Sequence, residues 1–120
     1  MLDRLVAGFK SGDNTFTRPG EALFGATRDG MLVGIAGLNV DPYFEEPGVG
    51  RVRHLYVHPA HRRGGVGRKL TAAIERTARG HFERLQLFTP TESASRFYEA
   101  LGFEPVSGIE KVSHAKALGS

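Results

Sequence analysis

Leu55-Tyr56-Val57-His58-Pro59-Ala60-His61-Arg62-Arg63-Gly64-Gly65-Val66-Gly67-Arg68-Lys69-Leu70 is the stretch on which the rest of the chain turns. Leu55, Tyr56 and Val57 are strand formers that run into His58-Pro59, where proline's fixed φ and missing N–H end the pairing. Beyond the glycines, Val66, Leu70, Ala73 and Ile74 recur at three and four and predict one face of a helix. A strand, a glycine turn and a helix therefore follow one another. Glycine leaves the backbone open to close approach, and the first N–H groups of a helix lack intrahelical partners while carrying the positive end of the macrodipole. With Arg62, Arg63 and Arg68 around it, this junction suits a diphosphate better than a lone carboxylate. The plainer alternative is a tight turn rimmed by solvated arginines.

Neither common nucleotide loop fits. Gly-Lys-Ser/Thr is absent, and Leu70 stands where a dinucleotide fingerprint needs glycine. The 120 residues, 40% hydrophobic and 24% charged, predict a single globular domain over 1–120. No run is long enough to cross a membrane and there is no basic-then-apolar leader, so a cytoplasmic protein without membrane contact is expected. The absence of cysteine excludes disulfides and thiolate chemistry. His54, His58 and His61 have no convincing carboxylate partner, and no metal site is expected. The net charge of +3 is concentrated between Arg62 and Lys69, which favours a local anion site over a nucleic-acid footprint.

In chain order, Leu2, Leu5, Val6 and Phe9 have helical spacing and predict a short amphipathic helix ended at Gly12. A loop over Asn14–Gly20 leads to a strand at Glu21–Arg28. Asp29-Gly30 predicts a hairpin turn, since both central positions need φ > 0. Met31–Val40 is the second arm, and a loop carrying Tyr43, Phe44, Glu45 and Glu46 leads to a third strand at Val49–Val57. Gly80 closes the helix that follows, and Leu85, Leu87 and Phe88 mark a strand whose crossover connection implies parallel pairing. Thr91 is placed to cap a second helix bearing Ala94, Phe97, Tyr98 and Leu101 on one face, with Gly102 past its end and Phe103 able to pack back. Phe103–Val106 and Lys111–Leu118 are further strands.

The string Arg62-x-x-Gly65-x-Gly67 resembles the acetyl-CoA-binding Gln/Arg-x-x-Gly-x-Gly/Ala motif of the GNAT superfamily of N-acetyltransferases. Ala94-x-x-Phe97-Tyr98-x-x-x-Gly102-Phe103 resembles that family's second signature, Ala-x-x-Leu-Tyr-x-x-x-Gly-Phe. The resemblance covers Glu21 to Leu118 and implies an α/β fold: a GNAT-like mixed central sheet flanked by helices on both faces. Three departures stand out. The chain is N-terminally shortened, only about twenty residues preceding the first strand where the family has an opening strand and a longer helical segment. Thr91 takes the place of a frequent asparagine, and Arg51 stands where many relatives carry a glutamate base.

The resemblance implies transfer of an acetyl group from acetyl-CoA to a primary amine, with a small molecule or a peptide as acceptor. It places the coenzyme on Leu55, Tyr56, Val57 and the loop Arg62, Arg63, Gly64, Gly65, Val66, Gly67, Arg68, and makes Tyr98 the general acid. From spacing alone Tyr98 is equally a core residue. An alkylamine of pKa about 10.4 must lose a proton before it attacks, so a base is needed. His54, on the relevant strand, and Glu45 or Glu46, on the preceding loop, are the candidates; Glu21 and a water relay stay open. The alternative reading is a coenzyme A-binding module without useful catalysis. If the Glu21–Arg28 strand has no outer neighbour, its open edge predicts a homodimer that covers it or completes the acceptor pocket.

Overall fold

The computed structural model describes residues 4–7, as backbone, together with 19–42, 48–62 and 64–119. Their elements run β1 (Arg4–Ala7), β2 (Ala22–Arg28), β3 (Met31–Val40), β4 (Val49–Val57), α1 (Val66–Ala78), β5 (Arg84–Leu87), α2 (Glu92–Ala100), β6 (Glu104–Pro105) and β7 (His114–Ala117). The strands form one mixed sheet in the order β1-β2-β3-β4-β5-β7-β6. All neighbours are antiparallel except β4 and β5, which α1 joins by the expected crossover. The β2–β3 hairpin turns on Asp29 and Gly30 at φ 52° and 78°, as the Asp-Gly pair requires.

The helix expected over Leu2–Phe9 is corrected by β1: Arg4–Ala7 is a strand paired with β2 from Arg4↔Thr27 to Ala7↔Phe24. An eight-residue helix is marginal in isolation, whereas an exposed strand edge offers a row of backbone donors and acceptors. The same pairing removes the edge argument for a homodimer, because β2's outer edge is occupied within the chain. The loops expected at Asn14–Gly20 and Tyr43–Glu46 lie largely or wholly outside the described residues.

The predicted stripe of α1 is the heart of the core. Val66, Leu70 and Ile74 are fully buried in one cluster with Leu38, Val52, Leu85 and Leu87, and Ala73 is buried as well. Lys116 on β7 reaches both Glu75 of α1 (2.8 Å) and the Leu101 carbonyl at the end of α2 (2.7 Å), so the two described helices share one face of the sheet. Thr91 caps α2 by accepting from the Ala94 N–H (3.3 Å). At its other end Phe103 N–H donates to the Tyr98 carbonyl (3.0 Å) and Gly102 N–H to that of Glu99 (3.1 Å). Gly102 takes φ 95°, and the Phe103 ring returns to within 5.4 Å of the Tyr98 ring. That is a Schellman stop with its hydrophobic contact, and it is the physical content of Tyr98-x-x-x-Gly102-Phe103. No helix among the described residues is long and apolar enough to cross a membrane.

Candidate active site

The site begins with one extra residue in β4. Ile35 and Gly37 of β3 oppose Tyr56 and Arg53 of β4, so two steps on one strand face three on the other. The bulge falls at His54, which takes φ 58°, a left-handed conformation uncommon outside glycine. It also shifts the pleat: Val52 faces the core before it, Leu55 and Val57 after it, and Tyr56 is left 52% exposed. The parallel β4–β5 ladder stops at Arg51↔Gln86, while β4 continues six residues further to Val57. A bulge bends its strand and tightens the local twist. The two strands part there, and an open cleft of about 1110 Å³ occupies the gap.

At one end the cleft meets the N-terminus of α1. Gly65 is the N-cap at φ 78°, no side chain caps the helix, and the first intrahelical bond is Lys69 N–H to the Gly65 carbonyl at 3.1 Å. The amides of Val66, Gly67 and Arg68 therefore have no partner four residues back. No heavy atom lies within 4 Å of where a Cβ on Gly65 would sit. Arg62 lines the cleft, donating from Nε to the Val57 carbonyl (2.9 Å) while its guanidinium lies 5.7 Å from the Tyr56 ring centroid. Arg68 lines the cleft as well. On the opposite wall Tyr98, 7% exposed, is wedged edge-to-face against Phe97 (5.2 Å) and Phe103. Burial pushes its phenol up to about 12.

A family model described as "Acetyltransferase (GNAT) domain" matches residues 19–105. The chain belongs to the GNAT acetyltransferase family. Aminoglycoside N(6')-acetyltransferase type 1 of Klebsiella aerogenes is 42% identical over 78 residues, 62% of this chain and 50% of that protein. The N-alpha-acetyltransferase RimI of Mycobacterium tuberculosis is 35% identical over 85 residues, 68% of this chain and 51% of that one. The chain thus spans about half the length of the curated relatives it matches. A crystal structure from Exiguobacterium sp. 255-15, described as an acetyltransferase, superposes with TM-score 0.76 at 35% identity, covering 85% of this chain and 66% of that one. N-acetylglutamate synthase of Neisseria gonorrhoeae, complexed with coenzyme A and N-acetyl-glutamate, gives TM-score 0.68 at 27% identity over 82% of this chain and 26% of that one.

Of the positions the GNAT resemblance singles out, Leu55, Tyr56, Val57, Arg62, Gly65, Gly67 and Arg68 line the cleft together with His54 and Tyr98. Val66 has its side chain wholly in the core, which leaves only its amide for a ligand. Gly64 is exposed, and a Cβ on it would lie 3.0 Å from the Arg28 guanidinium. Gly67 lines the cleft and also packs: a Cβ there would lie 3.2 Å from the Phe97 ring, so its smallness serves the approach of α1 to α2. Arg63 and Glu45, with Glu46, lie outside the described residues. Glu21 does not line the cleft; its Oε2 accepts from the Val40 N–H at 2.9 Å.

Arg51, which the resemblance sets where a glutamate base is expected, is 4% exposed. Its Nε donates to Asp41 Oδ2 (3.1 Å) and a terminal nitrogen to the Lys111 carbonyl (2.9 Å), while Gln86 Nε2 donates to the same Asp41 oxygen (3.3 Å). His54 is exposed, and partial burial followed by the charge of Arg53 lowers its pKa below the usual 6.5. Leu87, Phe88, Thr89, Ser93 and Lys111 complete the wall across from β4 and carried no motif. In the sequence Leu87 and Phe88 mark only the β5 strand, while Ser93 lies in the first turn of α2 and Thr89 and Lys111 lie in the segments after β5 and before β7.

Proposed function

We propose that this domain is an acetyl-CoA-dependent N-acetyltransferase that acetylates a primary amine by direct attack. The observation that carries the reading is the parting of β4 from β5 beside the uncapped N-terminus of α1, which gives one cleft an anion site and a strand edge that β5 no longer pairs. These residues fit the coenzyme. The amides of Val66, Gly67 and Arg68 and the open space at Gly65 suit its pyrophosphate, Arg62 and Arg68 balance the charge, and the backbone of Leu55–Val57 is available to an extended pantetheine arm. Acetyl-CoA supplies a thioester, whose carbonyl carbon gains the amine nitrogen as the C–S bond breaks and the coenzyme departs as a thiol. Tyr98 Oη keeps its proton at neutral pH and is the donor for that departure. His54, neutral at pH 7, takes the amine's proton from the other side of the cleft, with Glu45 as the second candidate. The relatives bearing N-acetyltransferase names and the coenzyme A complex of the gonococcal enzyme support the assignment.

Two measurements test it. Acetyl-CoA at about one hundred times its Kd adds roughly 2.7 kcal/mol to stability, and thiol release is followed over a panel of amines. Because Arg51 is committed to Asp41 in the family's base position, a coenzyme-binding module is the second reading. It predicts the same thermal shift with no amine-dependent thiol release.

A further inference from the structure

Among the described residues the cleft has one sign of charge. Arg51, Arg53, Arg62, Arg68 and Lys111 line it, and among the described residues no aspartate or glutamate does. These cations divide by position. Arg62 and Arg68 flank the N-terminus of α1, where the proposed coenzyme has its own negative charge. Arg51 is matched by Asp41, whose side chain is fully buried. Arg53 remains. It lies on β4 immediately before the bulge, beside His54, its backbone in register with Gly37 of β3, and its side chain makes no hydrogen bond or ion pair among the described residues. Arg51 bonds the Lys111 carbonyl, which brings Lys111 to this same end of the cleft.

Resting on the N-acetyltransferase reading, we propose that the acceptor is a primary amine with a carboxylate close by, a free amino acid or the acidic N-terminus of a peptide, and that Arg53 is the residue that selects it. A positive field at this end does two things. It attracts the carboxylate and disfavours polycations, so it sorts acceptors by net charge. It also disfavours the ammonium form of the incoming amine, since a like charge nearby lowers the pKa of a cation. Part of the work of the missing glutamate base is thereby done by charge. The same field is felt at His54, whose pKa is depressed first by partial burial and then by Arg53.

The test compares kcat/KM for glutamate, a tetrapeptide beginning Glu-Glu, an alanine tetrapeptide amide and spermine, in the wild type and in Arg53→Gln and Arg53→Glu. The two acidic acceptors separate a free amino acid from a peptide N-terminus. Acetyl-CoA-induced stabilisation is measured on each variant and is expected to be unchanged, since the coenzyme end is elsewhere. The wild type should favour an acidic acceptor over the neutral peptide by at least about fivefold, Arg53→Gln should erase most of that preference, and Arg53→Glu should turn it towards spermine. A wild type that favours spermine, or an acceptor order indifferent to both substitutions while thiol release persists, overturns the assignment. Loss of any acetyl-CoA stabilisation in the wild type overturns the N-acetyltransferase reading, and the acceptor class falls with it.

Discussion

The phenol of Tyr98 is held protonated by burial, its pKa pushed up to about 12, and this has separate consequences for rate and for stability. On the proposed chemistry Tyr98→Phe keeps the ring against Phe97 and Phe103 but deletes the proton donor. It is expected to lower kcat by about 10² to 10⁴ while acetyl-CoA stabilisation stays put. Near-native kcat at every pH would return Tyr98 to a packing role. The stability effect has a definite sign. A folded-state pKa above the unfolded value near 10 means stability is intact below pH 10 and falls as pH rises towards about 12. Urea titrations across that range should show a steeper alkaline loss in the wild type than in Tyr98→Phe. For His54 the pKa is lowered, so the acid limb of kcat/KM should lie below that of an ordinary histidine and vanish in His54→Gln. A limb unchanged in His54→Gln would place the base elsewhere.

At the scale of elements, the glycines at the start of α1 look alike in sequence and have different duties. Gly65 has a left-handed backbone with open space around it, while Gly67 has ordinary backbone and a neighbouring ring. Gly65→Ala is expected to cost about 1–2 kcal/mol through the left-handed conformation, and Gly65→Asn, which tolerates that region, less. Gly67→Val should cost about 1–3 kcal/mol by driving its side chain into Phe97, and Phe97→Leu should relieve part of that cost. Strictly additive effects in that double-mutant cycle would show that α1 and α2 do not meet there. The β4 bulge is a second local device, since it keeps Leu55 and Val57 on the core side after Val52. Its positive φ at His54 is written in no residue pattern, because histidine gives no warning of it.

Over the whole molecule, the buried Arg51–Asp41 pair ties the end of β3 to β4, to β5 through Gln86 and to the segment before β7 through the Lys111 carbonyl. Removing one partner strands a buried charge, so Arg51→Met should destabilise by about 3–5 kcal/mol. Installing the relatives' glutamate as Arg51→Glu sets two carboxyl groups together; chemical denaturation should show a larger loss than Arg51→Met, partly recovered by Asp41→Asn. Equal stabilities would mean that the pair holds nothing. Much of this protein was legible in its residues: the Asp29-Gly30 hairpin, the apolar stripe of α1, the Thr91 cap and the Gly102 stop all depend on interactions within a few positions of one another. Local chemistry also sufficed to mark the uncapped start of α1, the proposed anion site, because helix ends and glycines act over one turn. What required tertiary structure was non-local. Arg4–Ala7 is a strand because β2 offers an edge, Gly67 is small because Phe97 stands over it, and Arg51 is structural because Asp41 faces it across the sheet. Such roles are set by partners distant in sequence, and the contact exists only once the sheet has closed around it.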